Sequence, residues 1–182
     1  MDNSRKAWTI WFTGLHGSGK STIAARLTEV LEKNNIQFML LDGDEVRKTI
    51  SSDLGYSLED RNTHMKRVVD LCKTKTKEGL LCIACVASPT ESSREYAKRE
   101  LENIVIVYAR CPIEVCEKRD VKGHYKKAKN REKGFENFVG VSLNFEEPEN
   151  PDIILDTDKE PVEESVNNLI SKLKEKGIIK SY

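Results

Sequence analysis

The chain lacks most of what would carry a protein out of the cytoplasm or onto a large polyanion. Its longest apolar run, Leu80 to Ala87, is far too short to span a bilayer. Its first residues, Met1 to Lys6, are polar, with neither the apolar region nor the small-residue cleavage site of a signal peptide. Both absences point to a cytoplasmic protein with no membrane partner. Net charge is missing too: 30 lysines and arginines balance 30 aspartates and glutamates, so no global field draws the chain to nucleic acid. Cysteines number five, at 72, 82, 85, 111 and 116, an odd set without a regular framework, which indicates free thiols. Cys82 and Cys85 have the spacing of a metal or redox pair. They lie in an apolar run that reads as a strand, however, where residues three apart point to opposite faces, and core packing is the better reading. There are no internal repeats or low-complexity tracts, and 182 residues suit one domain, 1–182, better than two.

What is present is a phosphate loop. Gly14-Leu15-His16-Gly17-Ser18-Gly19-Lys20-Ser21 fits G-x-x-x-x-G-K-[ST] at every fixed position, and Thr22 follows it. Ala7 to Phe12 upstream reads as a buried strand, and Ile23, Ala24, Leu27, Val30 and Leu31 downstream recur at helical spacing. Strand, glycine loop and helix together give the motif its mechanism. The glycines let backbone N–H groups turn inward toward phosphate oxygens at the positive end of a helix. Lys20 would reach the β- and γ-phosphates of ATP, and the Ser21 hydroxyl would sit on Mg²⁺.

Further strands are expected at Ile36 to Leu41, Leu80 to Ala87, Ile104 to Ala109 and Asp152 to Asp156, and helices at Glu59 to Lys77, Ser93 to Leu101, Ile113 to Arg119 and Pro161 to Lys176. Ser57 with Asp60 forms a helix start of the S-x-x-[DE] kind. The alternation predicts an α/β fold of the P-loop NTPase type: a doubly wound, mainly parallel five-stranded sheet with flanking helices. Asp42-Gly43-Asp44 ends the second strand at the edge where ligands of open sheets bind, which makes Asp44 a partner for Mg²⁺ or a substrate hydroxyl. Arg47 is close enough to address an anionic substrate. Charge is unevenly spread: Lys118 to Lys133 carries eight basic residues against two acidic ones, and Glu136 to Glu164 carries ten acidic residues and Lys159. The basic stretch leads into an irregular segment, Gly134 to Pro151, and residues of about 121–147 are expected to form a lid.

Several stretches in this order resemble the adenylyl-sulfate kinase family of P-loop kinases. They are Gly14 to Thr22, Leu41 to Arg47, Leu54 to Arg61, Ser88-Pro89, Cys116 to Ala128 and Pro148 to Pro151. The resemblance implies transfer of the γ-phosphoryl group of MgATP to the 3′-hydroxyl of adenylyl sulfate in sulfate assimilation, with ATP and Mg²⁺ required. It implies a donor site of the whole loop with Arg119, and a metal held by Ser21 and Asp44. On the acceptor side it implies Asp42 and Asp44 at the hydroxyl, Arg47 and Arg61 on the phosphosulfate, His64 at the family's asparagine position, Lys122 in the lid, and Tyr56 and Phe138 on either side of the adenine. Ser88 matches a serine assigned a phosphoenzyme role and joins Lys20 and Asp44 in the catalytic set, although in-line transfer needs no such intermediate and a strand-end turn is the competing reading. A homodimer is left open.

The chain also departs from the family pattern. Thr90-Glu91-Ser92-Ser93-Arg94 replaces a run that usually begins Tyr-Arg, His64 replaces asparagine, Ser142 an aspartate, and Asn144-Phe145 a Pro-Tyr pair. All these changes fall on the acceptor side, so a different 5′-substituted nucleotide is an alternative acceptor. A nucleotide-dependent binding module is a second alternative, which the basic lid and the pair Arg47 and Arg61 disfavour. A nucleic-acid kinase would need a continuous basic track, which the acidic C-terminal third does not supply.

Overall fold

The strand that opens the chain is the centre of the sheet. In the computed structural model, which describes residues 7–180, β1 (Thr9–Thr13) is buried at every position. The polar stretch Met1 to Lys6 lies outside the described residues. After β1 come α1 (Lys20–Lys33), β2 (Phe38–Asp42), α2 (Gly43–Ile50), α3 (Leu58–Lys77), β3 (Leu81–Cys85) and α4 (Glu91–Glu100). β4 (Ile104–Arg110), α5 (Ile113–Lys118), α6 (His124–Lys129), β5 (Ile153–Asp156) and α7 (Val162–Glu175) complete the chain. The sheet runs β2-β3-β1-β4-β5 with every pairing parallel, Ile10 lying between Ile83 of β3 and Val105 of β4.

A parallel sheet covered on both faces needs strands that are apolar throughout, and strand periodicity then divides them between two cores. Ile10, Phe12, Ile83, Val105 and Val107 meet Leu27 and Leu31 of α1 and Val166, Leu169 and Leu173 of α7. Trp11, Cys82, Ala84 and Ile106 meet Met65, Val68 and Val69 of α3 and Ala97 of α4 on the other face. Truncating one of these fully buried leucines to alanine typically costs about 2–5 kcal/mol. Cys82 and Cys85 fall into opposite cores, and all five cysteines are free and buried. Because α1 follows β1 on one face and α4 follows the adjacent β3 on the other, a crevice opens at the carboxyl ends of these two strands. No helix among the described residues is long and apolar enough to cross a membrane.

Two helices depart from the sequence reading. Asp42-Gly43-Asp44 is a helix start: the Asp42 side chain accepts the Asp44 N–H at 3.1 Å and caps α2. Inside the basic stretch, α6 buries Tyr125 and Ala128 beneath its exposed lysines. The segment after it is also more ordered than its lack of periodicity suggested. Val139 bridges Leu143, Gly140 donates to the Leu143 carbonyl at 2.7 Å, and the Ser142 hydroxyl accepts the Phe138 N–H at 2.8 Å.

Candidate active site

The phosphate loop is shaped by close approach. A Cβ on Gly14 would lie 2.7 Å from the Ala109 carbonyl oxygen, and one on Gly17 would lie 2.7 Å from that of Cys116. Both glycines have positive φ, so larger residues would be strained as well as crowded. Gly19 caps α1 without a side-chain bond, and the first turn carries no acidic residue, which leaves its N–H groups and positive end for an anion. Lys20 curls back so that Nζ donates to the carbonyls of Gly14 at 2.8 Å and Leu15 at 2.7 Å. Burial lowers the pKa of this ammonium, against the opposing pull of nearby groups that include Asp44 and Asp42.

Beside the loop lies a cleft of about 490 Å³ lined by Gly19, Lys20, Thr22, Arg119, Thr157 and Val162 among others. Thr157, just past β5, donates through Oγ1 to the Ser18 carbonyl at 2.8 Å, and Arg119 donates to the Thr157 carbonyl at 2.7 Å. Arg119 thus lines the cleft beside the loop. Thr157 was not legible in the sequence, since a lone threonine after a strand gives no signal. Tyr125 was equally silent: its hydroxyl donates to the His16 carbonyl at 2.8 Å and ties α6 to the loop.

Across the crevice, the Ser21 hydroxyl donates to Asp42 Oδ2 at 2.8 Å. The oxygen pair that the structure brings together is thus Ser21 with Asp42, whereas the sequence reading paired Ser21 with Asp44. Asp44 stands exposed in the first turn of α2, where its charge is felt by Lys20, Arg47 and Arg61. Tyr56, 47 % exposed, has the Arg47 guanidinium 4.7 Å and the Arg61 guanidinium 5.4 Å from its ring centre. The hydrogen bonds of these arginines end on main-chain carbonyls: Arg47 on Gly55 at 2.6 Å, Arg61 on Tyr56 at 3.1 Å and on Asn137 at 2.7 Å. Burial, and then repulsion from Arg47, push the Arg61 pKa down to about 10. Two cations held this close destabilise each other until an anion arrives. The Asn137 contact brings the Phe138 segment to the same corner, and the Phe138 ring packs edge-on to Tyr125 at 5.0 Å.

Other expected residues are placed elsewhere. Ser88 is 1 % exposed, accepts the Trp11 indole N–H at 2.9 Å and faces the Met65 sulfur at 3.7 Å. Its hydroxyl is sealed in the core and leaves the catalytic set. His64, 5 % exposed, is turned to the Ser51 hydroxyl at 2.9 Å, and burial followed by the charges of Arg47, Arg61 and Arg67 pushes its pKa down to about 4. It backs the arginine corner as a neutral ring, a correction to its place among substrate ligands. Lys122 lies exposed in the turn before α6. The other departures are also packing: Glu91 pairs with the buried Arg94 at 2.6 Å, Arg94 donates to the Glu146 carbonyl at 2.8 Å, and Phe145 stacks on Tyr108.

With this geometry in place, comparison with known proteins is informative. The adenylylsulphate kinase family model matches residues 6–156. The chain belongs to that family. An adenylyl-sulfate kinase of Halothermothrix orenii is 41% identical over 97% of this chain and 94% of its own length, and one of Clostridium acetobutylicum is 43% identical over 96% and 87%. A Mycobacterium tuberculosis APS kinase, solved in complex with AMPPNP and APS, superposes with a TM-score of 0.86 at 31% identity, covering 93% of this chain and 98% of that one.

Proposed function

We infer that the chain transfers the γ-phosphoryl group of ATP to the 3′-hydroxyl of adenylyl sulfate, giving 3′-phosphoadenylyl sulfate and ADP in the cytoplasm. The observation that carries the reading is the facing of an intact phosphate loop by Arg47 and Arg61, packed on one exposed tyrosine with main-chain carbonyls as hydrogen-bond partners. A nucleotide carrying two linked anionic groups suits that corner: charge-assisted hydrogen bonds hold the phosphosulfate, and the adenine stacks on Tyr56. The acceptor-side departures do not disturb it, because Glu91, Ser142 and Phe145 serve local packing.

On the donor side Lys20 exchanges its carbonyl partners for phosphate oxygens, and the N–H groups of the loop and of the first turn of α1 complete the cradle. The Ser21 hydroxyl and Asp42 carboxylate are hard oxygen donors of the kind that would hold Mg²⁺. When bound, Mg²⁺ would neutralise charge on the phosphates of ATP. Asp44, across from Lys20, orients the attacking hydroxyl and accepts its proton as the new P–O bond forms and the bond to ADP breaks. Incubation with MgATP and adenylyl sulfate should give one ADP per acceptor consumed, with phosphorus NMR placing the new phosphate on the 3′-oxygen. ADP release independent of any acceptor would sink the reading.

A further inference from the structure

One cluster of ligating side chains has no part in phosphoryl transfer. His16 projects from the phosphate loop, and Asp120 and His124 stand at the turn that leads into α6. One ligand atom from each lies within 4.8 Å of the other two. The carboxylate supplies an independent sign that a ligand is missing. Its Oδ2 accepts the Tyr125 N–H at 2.8 Å, whereas Oδ1 is buried with no hydrogen-bond partner, on a side chain only 2 % exposed. An orphaned carboxylate oxygen is costly to bury. The nearest group to it is His16 Nε2 at 3.5 Å, longer than a good hydrogen bond. That spacing is close to the roughly 3.3 Å between two ligands on a tetrahedral ion bound at about 2.0–2.1 Å.

We propose that His16, Asp120 and His124 form a site for one late first-row divalent cation of the Zn²⁺ type, which joins the phosphate loop to α6. Two imidazoles and one carboxylate favour such a borderline ion over Mg²⁺, which prefers an all-oxygen shell. The fourth position stays open to water, since His16 keeps 34 % of its side chain exposed. The ring centres of His16 and His124 are 4.9 Å apart. Tyr125 and Phe138 wall the cluster with aromatic rings at 6.1 and 5.8 Å from His16.

The test is titration of the nucleotide-free full chain with Zn²⁺ against a chromogenic chelator, repeated for His124→Gln and Asp120→Asn. The parent should take up one Zn²⁺ per chain, in the presence of excess Mg²⁺, and its thermal midpoint should rise with bound metal. Each variant should bind at least about tenfold more weakly while matching the metal-free thermal midpoint of the parent. Asn can still accept the Tyr125 N–H, so Asp120→Asn keeps its fold if His124→Gln does not. Co²⁺ in place of Zn²⁺ separates this site from the cysteines, since a nitrogen and oxygen shell lacks the thiolate charge-transfer bands. No Zn²⁺ uptake by the parent, parental Zn²⁺ affinity in both variants, or a thiolate spectrum would each overturn the proposal.

Discussion

The donor and acceptor corners of the crevice are built in different ways. The donor corner is mostly one continuous stretch, residues 14–22, folded by its own glycines against β4 and α5 and tied to the rest of the chain through Thr157, Arg119 and Tyr125. The acceptor corner is assembled from distant pieces: α2 brings Asp44 and Arg47, the turn before α3 brings Tyr56, α3 brings Arg61, and Asn137 closes against Arg61 from far along the chain. A site made from one loop tolerates change elsewhere. A site made from several elements depends on how each one packs, which is why His64 and Ser51 matter behind Arg47 and Arg61 although neither faces solvent.

The largest effect is expected on the donor side. Lys20→Ala removes the cation beside the migrating group, where such contacts contribute about 3 kcal/mol or more to the transition state, so kcat should fall at least about a hundredfold. Circular dichroism and kinetics together check it, and near-parental turnover by a folded variant would mean the donor corner has been misread. Next in size is Asp44→Asn, which keeps shape and removes charge: turnover should drop on the order of a hundredfold with the ATP dissociation constant nearly unchanged. Asp42→Asn should behave differently, because Asp42 accepts from Ser21 and caps α2. Its signature is a raised Mg²⁺ requirement with little change in stability, because an Asn side-chain oxygen can still accept the Asp44 N–H and cap α2. If the two variants exchanged these signatures, the assignment of Ser21 with Asp42 would be reversed.

The smallest effect concerns His64. Its folded pKa, about 4, lies below the ordinary 6.5, so between these values the unfolded chain binds more protons than the folded one. Stability from this group is therefore present above about pH 6.5 and is lost as pH falls toward 4. Thermal melts of the parent should show a steeper fall across that window than His64→Asn. The Michaelis constant for the acceptor should carry no histidine titration from His64 between pH 6 and 8, and a titration there that His64→Asn abolished would return the imidazole to the acceptor.

The same contrast explains what could be read from the sequence. The phosphate loop, the mainly parallel sheet implied by alternating elements, and the Ser57 cap of α3 rest on local patterns whose meaning is set within a few residues. The acceptor-side details rest on tertiary packing, which spacing does not encode. Asp42-Gly43-Asp44 carries a turn signal and a capping signal at once, and only the packing of Val46 beneath α2 selects the helix. Ser88 follows a buried strand in the sequence, but its partner Trp11 lies 77 residues away. Glu91 reads as a lost cation until Arg94, one helical turn on and 1 % exposed, is seen to need a carboxylate.

The most direct test of the account is the ratio of kcat/KM for adenylyl sulfate to that for AMP, which offers the same base and 3′-hydroxyl with a single anionic group. Arg47 and Arg61 should make this ratio at least about a hundredfold in the parent, because a hydrogen bond to a charged group contributes about 1.5–3 kcal/mol. Arg61→Ala should collapse most of it while leaving the Michaelis constant for ATP unchanged. A parent that uses AMP as well as adenylyl sulfate, or a ratio untouched by Arg61→Ala, would contradict the claim that the arginine pair selects the acceptor.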